Sequence, residues 1–306
     1  MTRSGAGSRS AGALEIGGTH VSATRVDAAD AAPRTDRIVR LPLVASAARD
    51  ELLGALVSSA RAVHRPDLRV WGVATPGPFD YASGVCLIEG VAKLDALYGV
   101  DLRHELARAL ELRSDALTFV NDADAFLLGE AWAGAAAGVR RAVGITLGTG
   151  LGSAFLADGR IVNDAPEVPP EGRLDLLQLD GLPVESSVST RGLLRTYRLL
   201  ASAETSPDPE NAADLARQAR SGDEHALRAF EHFGASLGRI LSPWLDSFAP
   251  ECLVVGGSIA RAWDLFSTAF VEACRPVRES VRCLPARHPE SAALLGAARV
   301  ALGTER

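Results

Sequence analysis

The chain has 306 residues, 32 basic and 38 acidic side chains, and a formal charge of −6 at pH 7. That length predicts one large or two medium domains, and 47% apolar with 23% charged residues is a globular composition rather than a disordered one. The negative balance without a basic block argues against nucleic acid or an anionic membrane as partner, and no apolar run approaches the ~20 residues of a membrane helix.

The first twelve residues, MTRSGAGSRSAG, are polar, lack the apolar stretch of a secretory signal, and read as a disordered tail (1–12). From Ala13, ALEIGGTHVSATRVDA reads as strand, Gly-Gly turn and strand, a hairpin rather than a strand-to-helix phosphate loop. Asp50 to His64 shows helical apolar spacing with Asp50 as a candidate N-cap. LRVWGVATPGPFD is a buried strand ending in a Pro-Gly-Pro turn. Leu102 to Leu112 forms an amphipathic helix, ALTFVNDADAF a strand running into a polar turn, and the Ala-rich Gly129 to Gly138 a helix.

A second round then begins. RRAVGITLGTGLGSAFLADGRIV again reads as strand, glycine turn and strand, with Asp158-Gly159 as a further hairpin turn. Asn163 to Glu185 is rich in Pro, Gly and Asp without a period, a long loop of the kind that is functional or mobile. Helical patterns cover Ser189 to Ala203, Ala212 to Ser221 and Asp223 to Phe248. ECLVVGGSIARA is a buried strand with a Gly-Gly turn into a helix, and ESAALLGAARVALG a final Ala-rich helix. This duplicated order predicts two α/β domains facing across a cleft. The smaller would span 13–122 and the larger 123–290, with the final helix, 291–304, packing back on the first.

Three glycine turns each follow a strand: Gly17-Gly18-Thr19, Gly148-Thr149-Gly150 and Gly256-Gly257-Ser258. Glycine lets the backbone approach a phosphate and aim successive N–H groups at it; taken alone, each is more often a structural turn. None matches GxxxxGK[ST], and none gives GxGxxG with an acidic ribose partner. Between the first two lies NDAD, whose Asp122 offers the one carboxylate that phosphoryl transfer asks of a protein. The bland alternative for Asp122 is a helix N-cap, and Asp124 reads as a polar neighbour. The four cysteines, Cys86, Cys252, Cys274 and Cys283, show no metal-ligand spacing and read as reduced thiols of a cytoplasmic protein.

LEIGGTH, GVATPGPFD, FVNDADAFLLGE, GITLGTGLGSAFLADGRIV, LVVGGSIARA and ALLGAA stand in the order of the ROK-family sugar kinases, and the chain resembles that family from about Ala13 onward. The resemblance implies an α/β fold of two actin/hexokinase-like (ribonuclease H-like) domains flanking a cleft. It makes Gly17, Gly18, Thr19 and Gly148, Thr149, Gly150 the two ATP-phosphate hairpins and turns Gly256 and Gly257 toward the adenosine. Asn121 and Asp122 would hold the sugar with Gly77 of GVATPGPFD, and Asp122 would be the catalytic base. ATP is favoured over polyphosphate because no lysine cluster flanks the turns; Lys93 is the only lysine. Family habit also implies Mg²⁺ and a homodimer.

Departures from the family pattern bear on substrate and metal. Glu15 stands where the family's DxGGTK has Asp, so it would act on Mg²⁺ through a water, and His20 replaces the Lys as a hairpin residue. The family's GEIGH falls, counted without gaps, with its Glu on Glu171 and its His on Leu174; the bland reading of Glu171 is a solvated loop acid. No cysteine lies between Ser153 and Glu251, so the family's structural zinc is not expected. VESSVSTRGL matches the following ExxxS segment at Glu185 and Ser189. Leu174 and the segment Lys93-Leu94-Asp95-Ala96-Leu97 replace polar sugar contacts, while Asn121, Asp122, Glu171 and Glu185 would suit an ammonium group. The expected substrate is therefore an amino hexose such as kanosamine, phosphorylated at C6, in keeping with the family's antibiotic-pathway kinases. Against it stands the charge of Lys93. A neutral hexose, as in a glucokinase, is the alternative, and a non-catalytic sugar-binding member a further one. A ROK repressor would need a winged domain where only a dozen polar residues precede the first hairpin.

Overall fold

The computed structural model describes residues 10–28, 34–44, 46–90, 94–201, 208–274 and 281–303. Two compact units emerge: the first runs to Ala137 and resumes at Glu290, and the second spans Gly138–Pro289.

In the first unit, β1 (Ser10–Ile16) and β2 (His20–Asp27) form the expected antiparallel hairpin, with Glu15 opposite Ser22. Its start corrects the tail expected over 1–12: Ser10 pairs with Asp27 in the ladder, and its hydroxyl accepts from Arg25 Nη2 at 2.9 Å. Residues 1–9 lie outside the described residues. Strands β3 (Arg34–Thr35) and β4 (Val39–Pro42) both pair with β2. Helix α1 (Arg49–Val63) starts one residue before Asp50, which lies in its first turn instead of capping it; the flanking Ala48 offers no side-chain cap. An acid there still complements the helix dipole.

β5 (Trp71–Thr75) is buried at every position, as a central parallel strand covered on both faces must be. The short pair β6 (Phe79–Asp80) and β7 (Val85–Cys86), helix α2 (Leu102–Leu110) and strand β8 (Leu117–Asn121) follow. The polar turn expected at NDADAF is instead the first turn of α3 (Asp122–Ala133), because Asn121 caps it from the end of β8. The sheet order is β3-β2-β1-β5-β8, with β4 also on β2. Leu14, Ile16, Val73 and Phe119 pack on one face with Leu52, Leu56 and Leu106 of the helices.

The second unit repeats the plan. β9 (Arg141–Leu147), β10 (Leu151–Ala157) and β11 (Arg160–Ile161) run antiparallel, the last turn made by Asp158 and Gly159 at φ 49° and 81°. The long loop is anchored rather than loose: Ser153 Oγ donates to Gly172 O at 2.8 Å and accepts from Leu174 N at 2.9 Å. It contains a small hairpin of β12 (Gln178–Leu179) and β13 (Leu182–Pro183). Helices α4 (Thr190–Leu200), α5 (Ala212–Arg220) and α6 (Glu224–Phe248) carry Ser189, Asn211 and Asp223 as N-caps. β14 (Cys252–Gly256), α7 (Trp263–Ala273) and β15 (Arg282–Pro285) complete a sheet ordered β11-β10-β9-β14-β15. Its core is aromatic, with Phe155 edge-on to Phe248 at 5.2 Å and Phe233 edge-on to Phe266 at 5.2 Å.

Helix α8 (Ala292–Ala301) belongs to the first unit and lies against α3 and β5 through Ala74, Ala125, Ala293 and Ala297. A Cβ on Gly296 would fall 1.8 Å from Ala125 O, so the two helices touch backbone to backbone. That packing keeps α3 with the first sheet and puts the division after Ala137, not after Asp122.

Candidate active site

The β1–β2 turn is closed by Gly17 N donating to His20 O at 2.9 Å, and Leu43 N, just beyond β4, donates to Thr19 O at 2.8 Å. Across the sheet, Arg40, Ser22, Glu15, Ala74 and Val120 stand in one line of paired residues. Burial pushes the Glu15 carboxyl up to about 7, the charge of Asp122 adding to the rise and that of Arg40 opposing it. Asp124 is also pushed up to about 7, by burial and again by Asp122.

Asn121 is fixed from two sides. Its Oδ1 accepts from Ala123 N at 2.9 Å and Asp124 N at 3.3 Å, while Nδ2 donates to the Tyr81 hydroxyl at 3.1 Å. Tyr81 in turn donates to Thr75 O at 3.3 Å. Asp122, the first helical residue, accepts from Ala123 N on Oδ1 at 2.9 Å. The sequence reading placed Asn121 and Asp122 here and missed Tyr81; a phenol directly after PGPFD, needing a partner for its hydroxyl once buried, was the available signal. Gly77 lies in the connection from β5 to β6, before a cis bond to Pro78.

In the second unit, Gly148 O accepts from both Thr190 N at 2.8 Å and Thr190 Oγ1 at 2.9 Å. Glu185 Oε1 accepts from Leu151 N at 3.1 Å, and a Cβ on Gly150 would land 2.1 Å from that same oxygen. Ser189 caps α4 and donates to Glu185 O at 2.6 Å, which holds the acid's backbone beside the turn. Gly257 adopts φ +90°, and a Cβ there would meet Leu147 O at 2.3 Å, so backbone geometry alone demands glycine where β14 ends against the hairpin. The structure therefore brings Gly148, Thr149, Gly150, Glu185 and Gly257 together.

The remaining residues singled out in the sequence lie in the loop and the cores. Glu171 sits at φ 58° with its side chain 72% exposed, 3.7 Å from Arg173 Nη1. Leu174 is fully buried in the core of the second unit. Lys93 lies outside the described residues, and Leu94 and Leu97 after it are core side chains. All four cysteines are free thiols. Among the described residues no group of three or more His, Cys, Asp or Glu could hold a metal ion, and no helix is long and apolar enough to cross a membrane.

Comparison with known proteins decides the identity. The ROK family pattern matches residues 11–166 and 181–304. The chain belongs to the ROK family. It is 30% identical to the glucokinase of Thermotoga maritima over 212 residues, 63% of this chain and 65% of that one. With the N-acetylmannosamine kinase of Citrobacter koseri it shares 30% identity over 305 residues, covering 95% and 98% of the two chains. Its fold matches that of a ROK glucokinase from Streptomyces griseus, determined with glucose and AMPPNP, at a TM-score of 0.76, 22% identity, and 95% and 98% coverage. This ROK chain has the actin/hexokinase fold expected from its motifs, and it is a phosphotransferase with an alcohol acceptor, the class of its named relatives.

Proposed function

We propose that this ROK protein transfers the γ-phosphoryl group of ATP to the C6 hydroxyl of a hexose or amino hexose, with Asp122 as general base. The observation that carries this reading is the acid cluster at the head of α3, where the Asp122 carboxylate opens the helix and adds to the rise of both Glu15 and Asp124. Acids placed in different environments are how a site separates a base from a proton-holding neighbour.

In the reaction, the hydroxyl proton passes to the Asp122 carboxylate, the sugar oxygen bonds to the γ-phosphorus, and the bond to the ADP oxygen breaks. Asn121, held by Tyr81 and by its capping bonds, orients the acceptor beside Asp122. Gly17, Gly18 and Thr19 serve the phosphates in the first unit and Gly148, Thr149 and Gly150 in the second, with Gly256 and Gly257 toward the adenosine. Glu185 contacts sugar hydroxyls from its seat beside Gly150, with Gly77 and Glu171 completing the sugar site. Mg²⁺ is usually held by one or two carboxylates plus substrate phosphates, and the buried Glu15 beside the charge of Asp122 is a donor set of that kind. The ion would neutralise phosphate charge there, with Glu15 reaching it through water.

Asn121, Asp122, Glu171 and Glu185 would suit the ammonium group of an amino hexose, kanosamine among them. The similarity to named glucokinases favours a neutral hexose as the second reading. Free thiols at all four cysteines fit a reducing, cytoplasmic location, and the working unit is a homodimer, testable by sedimentation. Steady-state kinetics on kanosamine, glucosamine, glucose, mannose and N-acetylated sugars test the assignment. A kcat/KM for glucose tenfold above every amino sugar would overturn the amino-sugar choice, whereas ADP release with none of them would overturn the kinase.

A further inference from the structure

The edge of the first hairpin carries an arginine that neither the sequence reading nor the mechanism above uses. Arg40 lies on β4 opposite Ser22 of β2, and Ser22 lies opposite Glu15 of β1. The same strand pairs Pro42 with His20 and then ties Leu43 N to Thr19 O, so Arg40 is built into the frame that holds the Gly17–Thr19 turn. Its Nε donates to Ser22 Oγ at 3.3 Å, and Ser22 is fully buried.

That single bond fixes the root of the guanidinium and leaves its fork open. The side chain is exposed, and Nη1 and Nη2 make no hydrogen bond or ion pair among the described residues. Arg40 is near enough for its charge to act on Glu15 and on His20, yet no ion pair within 4.0 Å joins it to Glu15. Arg40 thus stands near a buried acid without an ion pair to it, and its fork is open to another anion. Burial and Arg40 together hold His20 below its ordinary value, so at neutral pH the imidazole adds no positive charge to the turn. A guanidinium fork with one edge anchored presents two parallel N–H donors, the geometry that matches phosphate oxygens.

We infer that Arg40 is a phosphate-contacting residue of this site, its fork taking the terminal phosphates of the nucleotide beside the Gly17–Thr19 turn. The inference rests on the kinase reading for the identity of the nucleotide. Its chemistry requires only an anion with two or more phosphates.

Calorimetric titration of ATP, ADP and AMP into wild type, Arg40→Gln and Arg40→Lys tests it, alongside steady-state kinetics. Arg40→Gln should weaken ATP and ADP by about 10-fold or more, the weight of lost charged hydrogen bonds, while AMP and sugar affinity stay within about twofold. Arg40→Lys should fall between, because a point charge replaces the fork. Adding His20→Lys to Arg40→Gln should recover part of the ADP affinity by restoring a cation to the turn. Ser22→Ala, which only frees the anchor, keeps the test alive if Arg40→Gln misfolds, and should weaken ADP by roughly threefold. Unchanged ADP binding in Arg40→Gln and Arg40→Lys, or equal losses for AMP, ADP and sugar, would overturn the inference. If the wild type binds ADP but turns over no sugar, the kinase reading fails while the titrations still decide the role of Arg40.

Discussion

At Gly17-Gly18-Thr19 the nearest strand offers a cation, Arg40, whose fork is open; at Gly148-Thr149-Gly150 a carboxylate, Glu185, sits on the turn and accepts from Leu151 N. Both turns link antiparallel strands at the head of a sheet that continues in parallel, β1 to β5 and β9 to β14. The backbone plan is repeated, and these two charges beside the turns differ in sign. A duplicated fold has thus kept its hairpin while assigning the neighbouring charges separately. The charge of Arg40 acts on Glu15 and His20 beside the first turn, whereas at the second turn an acid already uses one amide.

The largest effect should come from the residue that belongs to neither turn. Asp122→Asn is expected to lower kcat by about 10²–10⁴, the usual weight of a general base, with ATP affinity held within about twofold by calorimetry. Retention of more than about a tenth of wild-type kcat would remove Asp122 from the role.

Next in size, Gly150→Val and Gly17→Val separate the two turns. A side chain at Gly150 meets Glu185 Oε1 at 2.1 Å, so this variant should raise the KM of sugar and of ATP together, each by roughly tenfold or more, the scale of displacing a charged hydrogen bond. A side chain at Gly17 meets only the hairpin's own His20, its O at 3.1 Å and its imidazole at 3.6 Å, and should raise the KM of ATP alone. Identical profiles for both variants would erase the difference drawn here.

A smaller, pH-dependent effect follows from Glu15, raised from 4.5 to about 7 mainly by burial. With the folded value above the unfolded one, the stability associated with its proton is complete below about 4.5 and is lost as pH rises through about 7. Glu15→Gln should therefore differ little from wild type in urea unfolding at pH 5 and be more stable at pH 8, by on the order of 3 kcal/mol. Asp124→Asn should shift in the same direction. A Glu15→Gln protein less stable at pH 8 than at pH 5, relative to wild type, contradicts this. The smallest effect is expected from chelation: EDTA should leave the Tm unchanged, because the loop is held by Ser153, Val168, Leu174 and Val184. A large drop, or one zinc per chain by elemental analysis, would show a metal holding it.

Much of this was legible because strands and turns speak locally. Glycine turns set between strand-like runs, EIGGTH and GITLGTGLGS, located both hairpins, and Asp158-Gly159 announced its own turn. NDAD misled for a physical reason: polar residues in a row suit a turn and a capped helix start equally well, and only the seat of Asn121 at the end of β8 decides between them. Glu185 was found from a motif, but its bond to Leu151 N spans 34 positions and no local pattern encodes it. Arg40 and Ser22 were invisible for the same reason, since their meaning lies in strand register. Leu174 was readable as a missing histidine and not as a core side chain, because burial depends on how the loop returns to Ser153.

The central claim is that this site moves phosphate from ATP to a sugar through Asp122. The direct measurement is ADP formed against sugar phosphate formed, by coupled assay and ³¹P NMR, for wild type and Asp122→Asn on the same sugar panel. The account predicts one ADP for each C6 phosphomonoester in the wild type, no ADP without sugar, and a rate for Asp122→Asn lower by about 10²–10⁴. ATP binding without sugar-dependent ADP, or an undiminished rate in Asp122→Asn, would contradict it.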